Sequence, residues 1–233
     1  MTLRIFFDIE TTGLPKRRNV PYYDVENWPH IVALSWQIYD DHFNQIGNNN
    51  YIIKPIGYKI PEDSSNIHGI THEYAKKNGL ILREVLNKFM EIKEIIEIND
   101  DIKEYILIAH NIEFDINVLK AAFIREKLFE DLALLNTFKL FCNMKNSTDF
   151  CKIIPTSKSR SKKDNEITID TKDCNERSEI EKKIKNVKYK WPRLGELYEK
   201  LFNEKMENAH NCEKDVNNLV KCYFELINIG YYK

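Results

Sequence analysis

The chain has 233 residues and a mass of 27.7 kDa, a size that suits one domain, or one domain with an insertion. Hydrophobic residues make up 42% and charged residues 30%, and 35 Lys+Arg against 36 Asp+Glu leave a net charge of −1, which excludes a uniformly basic nucleic-acid coat protein but not a local basic groove. No apolar run approaches the roughly 20 residues of a membrane span, and the five cysteines (142, 151, 174, 212, 222) are scattered without a C-x-x-C, which argues against a disulfide framework or a structural zinc site.

Leu3 to Glu10 reads as a buried strand running straight from Met1 with no separate signal peptide, and Thr11-Thr12-Gly13-Leu14-Pro15 breaks it. A reducing, cytoplasmic or nuclear setting is expected, not secretion. Ile31 to Tyr39 (IVALSWQIY) is a second strand. Tyr51 to Pro55 ends a third, after the turn-like Gly47-Asn48-Asn49-Asn50. From Leu80 to Ile98, apolar residues at 82, 85, 86, 89, 92, 95 and 96 have helical spacing. Tyr105 to Ala109 is a buried strand, followed by a helix near Ile112–Arg125, and Leu132 to Phe141 opens with a fifth strand. The segment from about 143 to 188 turns polar and reads as a long loop or flexible insertion, not a second domain. Two helices, Arg193 to Phe202 and Cys212 to Ile229, close the chain. The alternation of strands and helices indicates a single α/β domain over 1–233.

Three clusters carry chemistry. Asp8 and Glu10 lie two apart on a strand, so their carboxylates share one face at a strand end. Chance alone gives about five acid-x-acid pairs in such a chain, but this pair sits inside an apolar strand. His110-Asn111-x-x-Phe114-Asp115 follows another buried strand. Asp115 there also reads as a charge at a helix N-terminus, and His110 as a half-buried imidazole. His210-Asn211-Cys212-Glu213-Lys214-Asp215 repeats the pattern before the last helix, with the same structural alternatives. Taken together, Asp8, Glu10, Asp115 and Asp215 could converge. A bare pair of carboxylates 4 Å apart costs about 4 kcal/mol at an effective dielectric of 20. Protonation or divalent cations must relieve that repulsion, and an oxygen-only set suits Mg²⁺ or Mn²⁺.

Phe7-Asp8-Ile9-Glu10-Thr11-Thr12-Gly13-Leu14-Pro15, His110-Asn111-x-x-Phe114-Asp115 and His210-Asn211-x-x-x-Asp215 together resemble the DEDDh 3′–5′ exonucleases, the DnaQ-like family that includes polymerase proofreading subunits and stand-alone Trex-type enzymes. Ile67-His68-Gly69-Ile70-Thr71 and Pro192-x-Leu194-x-x-Leu197-Tyr198 resemble lesser family segments. The resemblance covers nearly all of the chain except 143–188. It implies a ribonuclease H-like fold, a mixed five-stranded sheet flanked by helices. It also implies two divalent cations, with Asp8 bridging them, Glu10 and Asp215 completing one site and Asp115 holding the other, partly through water. His210 is implied as general base on the attacking water. Thr11, Thr12, Leu14, His110 and Asn111 are implied as substrate-binding. The expected reaction releases nucleoside 5′-monophosphates from 3′ ends of DNA or RNA.

Other readings stay open from the sequence: an RNA-trimming enzyme, a proofreading subunit with a polymerase partner, or a nucleic-acid-binding member without turnover. Asp215 lies 18 residues before Lys233, which favours a stand-alone enzyme over a tethered subunit. Asn136-Thr137 departs from a common Asp-Thr of the family, and no effect on metal binding is expected. Lys158, Arg160, Lys162 and Lys163 offer a basic flap over a phosphate backbone. Trp28, Trp36 and Trp191 are either base-stacking or packing residues.

Overall fold

Residues Thr2–Thr11 form β1, the middle strand of a five-stranded sheet. Its alternation assigns its two faces. Leu3, Ile5, Phe7 and Ile9 enter the larger core, while Phe6 enters a second core on the other side, and Asp8 and Glu10 follow Phe6 on that side by the period of two. The structure, a computed structural model, describes residues 1–98, 101–102, 104–155, 188–207 and 210–232.

The sheet order is β3-β2-β1-β4-β5. β2 (Ile31–Tyr39) and β3 (Gln45–Ile52) add antiparallel, whereas β4 (Glu104–Ala109) and β5 (Lys139–Cys142) add parallel. The mixed five-stranded sheet flanked by helices is therefore present as expected. After β3 come α1 (Glu62–His68), α2 (His72–Asn78), α3 (Leu82–Met90) and α4 (Ile92–Ile98). α5 (Ile112–Arg125) follows β4, and α6 (Phe129–Leu135) precedes β5. Val85, Leu86 and Phe89 of α3 and Leu119, Ala122 and Phe123 of α5 fill the larger core. α7 (Asn143–Asn146) and α8 (Thr148–Cys151) come next, then α9 (Leu194–Phe202) and α10 (Cys212–Asn228). α10 lies on β1 through Val216, Leu219 and Tyr223, whose ring meets Phe6 edge-on at 5.1 Å. Burying each such side chain contributes about 1.5–3 kcal/mol, and this packing brings the first turn of α10 to the end of β1.

Four sequence expectations are corrected. Gly47–Asn50 is strand, not turn: Asn48, Asn49 and Asn50 pair with Gln37, Trp36 and Ser35 on an edge strand whose alternate residues face solvent. Residues 80–98 make two helices, divided at Glu91. The apolar run at Leu132 is helix, because Leu132 and Leu135 are buried at a spacing of three; the fifth strand starts only at Lys139. The insertion does not begin at 143, because α7 and α8 are packed, with Asn143, Ser147 and Cys151 buried. Residues 156–187, with the basic flap residues, lie outside the described residues. Among the described residues the four cysteines are buried free thiols, and no helix is long and apolar enough to cross a membrane.

Candidate active site

The end of β1, the start of α5 and the start of α10 meet in a cavity of about 810 Å³. Asp8, Glu10, Asp115, His210 and Asp215 all line it. Ligand atoms of Asp8, Glu10 and Asp215 lie within 4.8 Å of one another. Asp115, in the first turn of α5 and 5% exposed, stands outside that trio.

Local structure explains each placement. Asn211 caps α10, its side chain accepting from the Lys214 amide at 3.1 Å, so Asp215 is held in the first turn. The Cys212 thiol donates to the Asp8 carbonyl at 2.9 Å and ties that turn to β1. His210 precedes the cap with φ 66°, a left-handed backbone that few residues other than Gly, Asn, Asp and His adopt readily. Its amide donates to Asp215 Oδ2 at 2.8 Å.

The electrostatics fit a cation site. Burial, then the charge of Asp215, raises Asp8 to about 7, against a donated thiol hydrogen bond. Burial, then Asp8 and Asp215, raises Glu10 to about 8. Asp215 is raised to about 6 by burial, although the His210 amide opposes the shift. Asp115 is raised well above its usual range by burial and by Asp8 and Glu10. Asp215 Oδ1 is buried and finds no hydrogen-bond partner among the described residues. An unpartnered buried carboxylate oxygen beside two more acids is what a divalent cation would satisfy.

These shifts set the sign of a stability profile. A carboxyl group with a raised native pKa stabilises the fold while protonated and loses that contribution as pH rises through its native value. The metal-free protein should therefore melt at lower temperature as pH climbs from 5 to about 8.5. Mg²⁺ or Mn²⁺ at about 100 times its Kd should restore about 5–10 °C at pH 8, from about 2.7 kcal/mol of linkage. Thermal melts in EDTA and in metal across this pH range provide the check, and a flat profile unmoved by metal would remove the cation site.

The remaining sequence candidates divide. Thr11 lines the cavity, and its hydroxyl donates to the Gly13 carbonyl at 2.7 Å, shaping the turn that leaves Leu14 83% exposed. Asn111 also lines it. Thr12 is not among the lining residues, and its hydroxyl accepts from the His30 amide at 3.0 Å. His110 lines the cavity, and both of its ring nitrogens face protein partners. Burial lowers it to about 4, so it is neutral; Nε2 donates to the Pro192 carbonyl at 2.9 Å and Nδ1 faces the Asn143 amide at 3.4 Å. The Nε2 contact ties His110 to the loop before α9. Sequence reasoning assigned nothing to His68, which is 7% exposed in the cavity. Its Nδ1 accepts from the Ile70 amide at 3.1 Å, and its Nε2 has no partner among the described residues. The Ile67–Thr71 segment was its only signal. Arg193, Lys205 and Met206 on the cavity wall were likewise unassigned, and Trp191 beside them was left as either a stacking or a packing residue.

No protein-family model matches the chain. The chain is 31% identical over 137 residues to a PolC-type DNA polymerase III of Mycoplasmopsis pulmonis (strain UAB CTIP), a match covering 58% of this chain and 8% of the polymerase. In structure it is similar to E. coli exonuclease I in complex with a dT13 oligonucleotide, with a TM-score of 0.63 and 17% identity. It is also similar to a moderately thermophilic exonuclease I from Methylocaldum szegediense, with a TM-score of 0.62 and 17% identity. Both likenesses cover 98% of this chain and 41% of the nuclease, so the chain spans less than half the length of these relatives. Motif order, the polymerase match and the sheet topology point the same way: the chain has a ribonuclease H-like fold, and its motifs are similar to those of DnaQ-like proteins.

Proposed function

We propose that this protein is a divalent-metal-dependent 3′–5′ exonuclease, a phosphodiester hydrolase that releases nucleoside 5′-monophosphates from 3′ ends, acting as one unit over residues 1–233. The observation that carries this reading is the convergence of Asp8, Glu10 and Asp215 within 4.8 Å, with Asp115 and His210 lining the same cavity. DNA is the favoured substrate, because the relatives include a DNA polymerase and a nuclease solved with a DNA oligonucleotide.

Asp8, Glu10 and Asp215 would hold one cation and Asp8 and Asp115 a second. Two cations in such a site stabilise the attacking and leaving oxygens of an in-line displacement. The chain's own groups do the rest. His210, in the turn before α10, takes a proton from the attacking water. The His210 amide on Asp215 Oδ2 keeps that carboxylate oriented. Leu14, projecting from the Thr11–Gly13 turn, packs on the terminal nucleoside.

The test is a time course on 5′-labelled single-stranded DNA and RNA of matched sequence with Mg²⁺, Mn²⁺ or EDTA. The expected result is a ladder shortening by single nucleotides from the 3′ end, absent with EDTA, and faster on DNA. Internal cuts, or no metal-dependent ladder on either strand, would overturn the proposal.

A further inference from the structure

The chain has three tryptophans, and the structure treats them differently. Trp36 is 1% exposed and Trp28 9%, both in the larger core. Trp191 is 56% exposed, and it lines the cavity that holds the carboxylates. An exposed indole is tolerated on any surface, but this one is held in place. The Lys190 amide donates to the Ile153 carbonyl at 2.8 Å, the Pro192 carbonyl accepts from His110 at 2.9 Å, and the Arg193 amide donates to Glu196 Oε2 at 2.7 Å. The Lys145 ammonium lies over the ring, 5.4 Å from its centroid, and is itself fixed by Glu113 Oε2 at 2.9 Å. The backbone on both sides of Trp191 is anchored, one ring face carries a cation, and much of the ring is still open to solvent.

The charges around it matter as much. A cluster of carboxylates repels a polyanion, so a strand that reaches Asp8 needs cations on its way in. Lys145 sits on the indole, and Arg193 and Lys205 line the same cavity. Aromatic surface interleaved with cations, continuous with a phosphodiester-cleaving centre, suits unpaired nucleic acid rather than a protein partner.

Resting on the exonuclease reading above, we propose that Trp191 is the stacking platform for an unpaired base of the 3′ segment, with Lys145, Arg193 and Lys205 serving its phosphates. Stacking on an indole requires a free base face, which a base inside a duplex does not offer. The platform therefore selects single-stranded or frayed 3′ ends and tolerates any sequence, because every base has a π-face.

The experiment measures binding of the full chain to a 5′-fluorescein oligothymidylate by anisotropy, in EDTA at low salt, for the parent protein, W191A and W191F. EDTA stops metal-dependent cleavage, so the readout is independent of turnover. W191A should bind about 10-fold more weakly, within the range expected for one stacked base, and W191F should recover most of that loss. A blunt duplex should bind the parent and W191A alike. Binding by W191A within about twofold of the parent, equal weakness of W191A and W191F, or no binding by the parent would each overturn the platform. A 3′–5′ ladder alongside unaltered W191A binding removes the platform and keeps the exonuclease; the opposite pattern keeps the platform and removes the exonuclease.

Discussion

Replacing Asp8 with Asn is expected to reduce cleavage by at least about 10³-fold, since each tenfold costs about 1.4 kcal/mol and a cation at the reacting oxygens is worth several kcal/mol. The same substitution should not unfold the protein. Asn keeps the volume, and the hydrogen bond from the Cys212 thiol to the backbone carbonyl of residue 8 is retained. Burial and Asp215 hold Asp8 at about 7, so at pH 8 the metal-free parent carries an ionised carboxylate that the fold disfavours. Asp8→Asn removes that charge, and its melting temperature in EDTA at pH 8 should equal or exceed the parent's. Lost activity with retained or higher stability marks a group kept for chemistry at some cost to the fold. Retained activity, or a large fall in melting temperature, would mean that Asp8 is structural. Time courses and melts on one preparation measure both.

His210→Asn is expected to slow cleavage by about 10²–10⁴-fold while leaving metal-induced stabilisation in place. Asn is the suitable replacement because residue 210 has φ 66°, which Asn tolerates far better than Ala does. The amide that donates to Asp215 Oδ2 is also retained. If the imidazole accepts the proton, free imidazole added to the variant should restore part of the rate. A variant as fast as the parent, or one that loses the metal-induced rise in melting temperature, would remove the general-base role.

The sequence carried the carboxylates better than the surfaces around them. Asp8 and Glu10 were legible because an apolar strand forces residues two apart onto one face, and Phe6 confirms which face that is. Asp115 and Asp215 were legible as acids just inside helices, behind His-Asn pairs at strand and loop ends. The hydrogen-bond partners of Thr12 and His110 were not legible, because the sequence shows side-chain type but not partner: His30 meets one, Pro192 and Asn143 the other. Gly47–Asn50 looked like a turn because its composition is polar. An edge strand needs only backbone pairing with β2, which polar residues supply as well as apolar ones. Leu132 illustrates the converse, since a short apolar run does not reveal its period until its neighbours are known. Trp191 was visible as a tryptophan, but its exposure is set by contacts to residues 38 to 81 positions away in the chain.

The Cys212 thiol ties α10 to the Asp8 carbonyl, and the Asn211 cap sets the first turn of that helix. Asp8 and Glu10 come from the first strand, Asp115 from the middle of the chain and Asp215 from the last helix, so the cluster exists only once all three segments have docked. Any fragment that ends before α10 lacks Asp215 and the Cys212 thiol and uncovers Phe6. On the proposed exonuclease reading, a chain that stops short of α10 carries an incomplete cation site, and cleavage would report that first strand and last helix have docked.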